Sequence, residues 1–262
     1  MALKETEISD AAQKLIAASR DRKPIDPFTE TYPEITVDEA YRIQLITVEA
    51  RLAEGRKVVG KKIGLTSPAI QEMFNVNEPD YGHLFDDMLV YQGEEFSAAT
   101  LLQPRIEGEI AFVLERDLTG PGITPADVIR STAGVTAALE IIDSRIRDWK
   151  IKIQDTVADN ASSGGFVLGS RLVPLTGLDL RCVGFVMMKN GQLAATGAGA
   201  AVLGNPVQSV AWLANKMGEY EISLKAGEVI LSGAAAAAVP VQAGDSIQLT
   251  VDRIGDVGCF FG

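Results

Sequence analysis

Cysteine and histidine are almost missing from this chain of 262 residues, which holds two cysteines, Cys182 and Cys259, and one histidine, His83. Two thiols so far apart make neither a disulfide framework nor a thiolate metal site. A single histidine excludes any His-based triad that omits His83, and no serine or cysteine stands in a nucleophile-elbow setting. Basic charge is also short: 24 Lys and Arg face 35 Asp and Glu, a net charge of −11. That field repels phosphate backbones and anionic lipid surfaces, and no basic patch opposes it, which argues against nucleic-acid binding. Nothing approaches the roughly 18 apolar residues of a membrane span, and the charged opening MALKETEISDAAQKLIAASRDRK lacks the roughly 7 to 15 apolar residues of a signal peptide. A cytoplasmic location is expected.

What the chain does have is 47% hydrophobic and 23% charged residues, enough to bury the core of one large domain or two small ones. The apolar surplus, with Trp149 and Trp212 available, makes a homo-oligomer plausible. The negative field would repel small organic anions as well. A protein of this charge that handles them needs a bound cation or a buried Lys or Arg.

Apolar residues recur at helical spacing from Ser9 to about Arg20, and Thr36-Val-Asp-Glu39 reads as a capping box opening a helix to about Glu54. Residues 1–56 are therefore expected to form a helical segment. From Lys57 the texture changes to short β-like runs at 57–65, 105–115, 136–143, 182–189, 192–196, 228–233 and 246–252. Asn190-Gly191 is the strongest hairpin signal, and helices are expected at 67–74, 124–131 and 205–217, the last capped by Asn205. Many strands and few helices over 57–262 predict an α+β fold with a mostly antiparallel sheet or barrel, the whole chain forming one structural unit.

Chemistry concentrates in Arg105-Ile-Glu-Gly-Glu-Ile-Ala-Phe-Val-Leu114. Period-two alternation puts Glu107 and Glu109 on one face, their Cα atoms about 6.6 Å apart, and Ala111 and Val113 continue that face. Such a strand is covered on both sides, where two ionised carboxylates are costly unless a cation neutralises them. Glu140 interrupts the apolar run Ala-Ala-Leu-Glu-Ile-Ile and is hard to bury alone. The plainer alternative is a solvated sheet face for Glu107 and Glu109, with Glu140 paired to Arg145 or Arg147. An all-oxygen site favours Mg²⁺ or Mn²⁺ over Zn²⁺.

In Val58-Val-Gly-Lys-Lys-Ile-Gly-Leu-Thr66, Lys62 shares its face with Gly60, Gly64 and Thr66, so a ligand can approach it closely; a lysine-protected edge strand is the alternative. Asn77-Glu-Pro-Asp-Tyr-Gly-His83 is rich in turn formers, and His83 reads as a turn or packing residue. Asp155-Thr-Val-Ala-Asp-Asn-Ala-Ser-Ser-Gly-Gly165 reads either as an anion-holding nest or as a capped helix start from Asn160.

Together, Gly60-Lys-Lys-Ile-Gly-Leu-Thr-Ser67, Glu78-Pro-Asp-Tyr-Gly82, Arg105-Ile-Glu-Gly-Glu-Ile110, Glu140-Ile-Ile-Asp-Ser-Arg145 and Asp155-Thr-Val-Ala-Asp-Asn-Ala-Ser162 resemble the hydratase/decarboxylase family of the fumarylacetoacetase-like superfamily. That family includes 2-hydroxypenta-2,4-dienoate hydratase and 4-oxalocrotonate decarboxylase of aromatic meta-cleavage pathways. The resemblance implies a mixed β-roll or barrel core with helical decoration. It also implies Glu107, Glu109 and Glu140 as metal ligands, with a small 2-oxo or 2-hydroxydienoic acid chelating the metal through its 2-oxo and carboxylate oxygens. Lys62 matches the family's active-site lysine, Asp80 its site aspartate, and Ser162 a position near the substrate carboxylate. Family members also associate with one another, so the resemblance implies a partner decarboxylase or hydratase.

The expected reaction is hydration of 2-hydroxypenta-2,4-dienoate to 4-hydroxy-2-oxopentanoate. Decarboxylation of 2-oxo-3-hexenedioate (4-oxalocrotonate) uses the same electron sink and is the alternative. Ser162-Ser-Gly-Gly-Phe-Val-Leu-Gly169 and the Asp155-Thr-Val opening look more like the hydratases, whereas Gly233-Ala-Ala-Ala-Ala-Ala-Val-Pro-Val241 departs from both groups. A C–C hydrolase of acylpyruvates would need a His-Glu pair that His83 does not supply. A cation-binding scaffold without turnover is the reading of a different class.

Overall fold

A computed structural model describes residues 2–262. The first long helix, Glu5–Asp21, begins four residues before the expected start, and the second, Val37–Ala53, opens on the expected box: Glu39 N donates to Thr36 Oγ1 at 3.2 Å and Thr36 N to Glu39 Oε2 at 2.8 Å. Both helices turn apolar faces inward, with Ile8, Leu15 and Ile43 joining the main core. No helix among the described residues is long and apolar enough to cross a membrane.

The fold is α+β, with a curled, half-barrel sheet of mainly antiparallel strands. From one end, the larger sheet runs Asp80–Phe85, Val58–Gly64, Val229–Leu231, Arg105–Leu114, Thr132–Ile142, Ser163–Leu168 and Leu89–Tyr91, and Val239–Pro240 pairs with the start of the Arg105 strand. Two of its pairings are parallel, Val58–Gly64 with Val229–Leu231 and Leu89–Tyr91 with Ser163–Leu168. A smaller sheet orders Glu95–Phe96, Gly255–Phe261, Ser246–Val251, Gly184–Lys189 and Gln192–Ala198. The Asn190-Gly191 hairpin forms as expected, with φ of 54° and 75° and Lys189 opposite Gln192.

Alternation along Arg105–Leu114 decides how the sheets pack. Ile106, Ile110, Phe112 and Leu114 are buried in the main core, and a Cβ on Gly108 would lie 2.9 Å from Leu249 of the smaller sheet. The opposite face carries a separate apolar cluster of Leu84, Ala111, Ala138, Phe166 and Leu231. The glutamates lie on this second face.

Two sequence readings need correction. Asn77–His83 is not a turn throughout, because a strand begins at Asp80 and all six of its residues are buried. Asn160 does not open an ordinary helix: Asn160, Ala161 and Ser162 all adopt positive φ (53°, 49° and 56°), a left-handed turn that side chains other than glycine's rarely take. Asn160 fixes this turn by bonding the His83 backbone twice, accepting from its N at 2.8 Å and donating to its O at 2.9 Å.

Candidate metal centre

Strand register brings the three glutamates together. Glu107 stands directly across from Glu140, and Glu109 lies two residues further along the same face, opposite Ala138. Each offers a carboxylate oxygen within 4.8 Å of the others'. Glu109 and Glu140 are fully buried, and Glu107 is partly exposed. The solvated-face alternative therefore fails. So does pairing of Glu140 with arginine, because Arg145 bonds Asp159 and Arg147 bonds Asp26.

Lys62 enters this cluster from the neighbouring strand. That strand is internal to the sheet, not an edge, and Lys62 lies opposite Leu231 on one side and Gly82 on the other. Its Nζ is 3.3 Å from Glu140 Oε1. Asp80 lies across from Gly64, and a Cβ on Gly64 would fall 2.2 Å from Asp80 Oδ1 and 3.3 Å from Lys62 Nζ. Glycine at 64 thus keeps open a gap onto which both charged groups face. Thr156, which the sequence did not single out, donates to Asp80 Oδ2 at 3.3 Å and lies 3.5 Å from Ser162 Oγ. Gly233 N donates to Glu109 Oε2 at 2.7 Å, a backbone contact that side-chain chemistry could not announce.

One ammonium faces four carboxylates in a desolvated space. Burial, then the charge of Glu140, pushes Glu107 up to about 7 and Glu109 well above the ordinary glutamate value. Burial raises Glu140 and Asp80 despite the opposing pull of Lys62. Burial alone would lower Lys62, but Glu140, Asp80, Glu107 and Glu109 outweigh it and hold its ammonium above the usual lysine range.

The unpartnered polar atoms coincide with this charge imbalance. Glu109 Oε1, Glu140 Oε2 and Asp80 Oδ1 are buried without a hydrogen-bond partner, and Glu140 Oε1 has only the Lys62 ammonium at ion-pair distance, although buried polar atoms are nearly always satisfied. Three convergent carboxylates with free lone pairs and too little positive charge fit a hard divalent cation, and the absence of nitrogen and sulfur donors fits Mg²⁺ or Mn²⁺.

The other singled-out groups lie elsewhere. Lys61 points to the opposite face and pairs with buried Glu228. His83 is a packing residue, its Nδ1 3.2 Å from Gln44 Oε1 and its ring pushed down to about 4 by burial and the charge of Lys61. It is not placed to activate water beside the glutamates.

Residues 65–259 match the family described as fumarylacetoacetate (FAA) hydrolase C-terminal. A 2-hydroxyhexa-2,4-dienoate hydratase of Comamonas testosteroni is 50% identical over 250 residues, 95% of each chain. A 2-hydroxypent-2,4-dienoate hydratase of Pseudomonas putida is 51% identical over 220 residues, 84% of this chain and 99% of that one. Among solved structures, 4-oxalocrotonate decarboxylase from Pseudomonas putida G7, complexed with magnesium and adipate, superposes with a TM-score of 0.96 at 39% identity, covering 99% of both chains.

Proposed function

The chain belongs to the fumarylacetoacetate hydrolase C-terminal family, and from that premise we propose that it is a metal-dependent hydro-lyase that hydrates 2-hydroxypenta-2,4-dienoate to 4-hydroxy-2-oxopentanoate. The observation that carries this reading is the convergent Glu107–Glu109–Glu140 cluster, in which Glu109 Oε1 and Glu140 Oε2 are buried without a partner and Lys62 is the one close cation among the described residues. These glutamates would hold Mg²⁺ or Mn²⁺. When bound, the ion supplies Lewis-acid electron withdrawal at the 2-oxo group of a chelating 2-oxo acid.

The chain's own residues then divide the remaining work. Hydration needs the 2-hydroxyl proton to leave as C5 gains one, and then the hydroxyl of a water to add at C4 while that water's other proton is delivered to C3. Lys62, buried and held in its ammonium form, stabilises the negative charge that develops on the enol oxygen. Asp80 faces the same gap with a free Oδ1 and a raised pKa, and so serves as the group that moves protons at the remote end of the diene. The Ser162 hydroxyl binds the substrate carboxylate. The enzyme works in the cytoplasm within aromatic meta-cleavage catabolism, as a homo-oligomer that can associate with a partner lyase.

Decarboxylation of 4-oxalocrotonate is the second reading, favoured by the near-complete superposition on a decarboxylase. The higher identity to hydratases favours hydration. Assaying both substrates with Mg²⁺ and with Mn²⁺ decides. Loss of the dienoate chromophore with formation of the 4-hydroxy acid supports the first reading, and CO₂ release from the dicarboxylate without hydration of the monocarboxylate overturns it.

A further inference from the structure

We propose that Thr156 is a positioning residue of this reaction, aligning Asp80 and Ser162 through a single hydroxyl; the inference deepens the hydratase reading and rests on it. Thr156 is buried on the short helix Ile153–Ala158. Its Oγ1 donates to Asp80 Oδ2 and is 3.5 Å from Ser162 Oγ. A threonine hydroxyl has one proton and two lone pairs. With that proton committed to Asp80, Thr156 Oγ1 can only accept from Ser162, so any bond runs Ser162 to Thr156 to Asp80, and at 3.5 Å the contact is loose enough for the Ser162 proton to turn to the substrate carboxylate when substrate is bound.

This direction bears on both ends of the site. Asp80 Oδ2 is occupied by Thr156, so Oδ1 is the oxygen left free, and it borders the Gly64 gap beside Lys62 Nζ. The carboxylate plane is thereby set by a neutral donor that does not compete with Lys62. At the other end the hydroxyl helps hold Ser162, a residue whose left-handed φ of 56° needs external support.

The helix that carries Thr156 is itself anchored. The adjacent Asp155 carboxylate accepts from Thr29 N at 3.1 Å, Thr29 Oγ1 at 2.8 Å and Lys152 N at 2.9 Å. Thr156 therefore sits on a support tied to the N-terminal part of the chain, as a residue must be if it is to hold reacting groups in place. Sequence separation hides this link, since Thr156 lies 76 positions after Asp80.

The test uses the Mg²⁺-loaded full chain and two substitutions. Thr156→Val keeps the shape and deletes the hydroxyl, while Thr156→Ser keeps the hydroxyl and deletes a methyl. With 2-hydroxypenta-2,4-dienoate, Thr156→Val is expected to lower kcat roughly tenfold to hundredfold with KM moved less than about threefold, and Thr156→Ser to stay near wild type. Independently of turnover, the Asp80 carboxyl is titrated by ¹³C NMR, its resonance assigned with Asp80→Asn. Losing a donor to the ionised form should raise its midpoint in Thr156→Val and leave it in place in Thr156→Ser. The proposal is overturned if Thr156→Val leaves the Asp80 midpoint unmoved, or if Thr156→Ser is as damaging as Thr156→Val. If the wild-type enzyme does not turn over the dienoate, the hydratase reading fails, and the two midpoints still decide whether Thr156 positions Asp80.

Discussion

Replacing Glu140 with glutamine separates a metal site from a structural ion pair, because the two assign opposite signs to the change in stability. At an effective dielectric of about 20, two carboxylates at the 4.8 Å outer limit of this cluster repel by about 3.5 kcal/mol. Glu140 has two such neighbours, so its charge costs about 7 kcal/mol in repulsion when all three are ionised. Its attraction to Lys62 at 3.3 Å returns about 5 kcal/mol on the same scale. Where all three are ionised, removing the charge should therefore stabilise the metal-free protein by about 2 kcal/mol, roughly 4 to 8 °C in Tm for a chain of this size. Protonation already relieves part of the repulsion at neutral pH, so the gain should grow as the pH is raised. The same variant should lose the Tm rise that Mg²⁺ gives wild type, which at a hundredfold excess over Kd corresponds to about 2.7 kcal/mol. Thermal unfolding of EDTA-treated wild type and Glu140→Gln, with and without Mg²⁺ at pH 6 and 8.5, measures both effects. A metal-free Glu140→Gln protein less stable than wild type at both pH values would refute the reasoning and make Lys62–Glu140 an ordinary structural pair.

Three further outcomes are expected. Glu107 holds its proton to about 7 in the folded protein but only to about 4.5 when unfolded, so the folded state binds more protons between those values. Urea midpoints of the metal-free protein should therefore fall as pH rises from 4.5 through 7, while Mg²⁺ affinity rises over the same window; flat profiles would show that Glu107 ionises normally. Gly64→Ala places a methyl 2.2 Å from Asp80 Oδ1, and kcat should drop about a hundredfold or more with the circular dichroism spectrum unchanged. Arg145→Ala strands the fully buried Asp159, which burial pushes up to about 6, and should cost about 3 to 5 kcal/mol in denaturant unfolding without altering metal affinity.

Legibility in the sequence followed the range of the interactions. The glutamate strand could be read because period-two alternation is local, and Glu140 because one acid in an apolar run has few explanations. The face carrying Lys62 was visible from Gly60 and Gly64. Asp80 is legible only through the family resemblance, because the turn formers around it mask its strand. All six residues there are buried, so no alternation remains to be read, and Gly82 is required because a Cβ would lie 2.3 Å from Asn160 O, 78 residues further along. Ser163–Leu168 and Gly255–Phe261 escaped for a related reason: glycines interrupt both, and each strand is completed by distant partners. The left-handed turn at Asn160–Ser162 resembled a helix cap because nothing within it reveals the bonds to His83 that hold it. Thr156 gave no signal, since a threonine beside an aspartate is ordinary until the fold places Asp80 against it.

The central claim is that Glu107, Glu109 and Glu140 form one divalent-cation site. Equilibrium binding of Mn²⁺, followed by the electron paramagnetic resonance signal of the free ion, tests it most directly in wild type and Glu109→Gln. Glu109 is the glutamate to replace because it is fully buried and forms no ion pair with lysine. One ion per chain in wild type, with affinity lowered about a hundredfold or more in Glu109→Gln, is the expected result. Equal Mn²⁺ binding by the two proteins would contradict it.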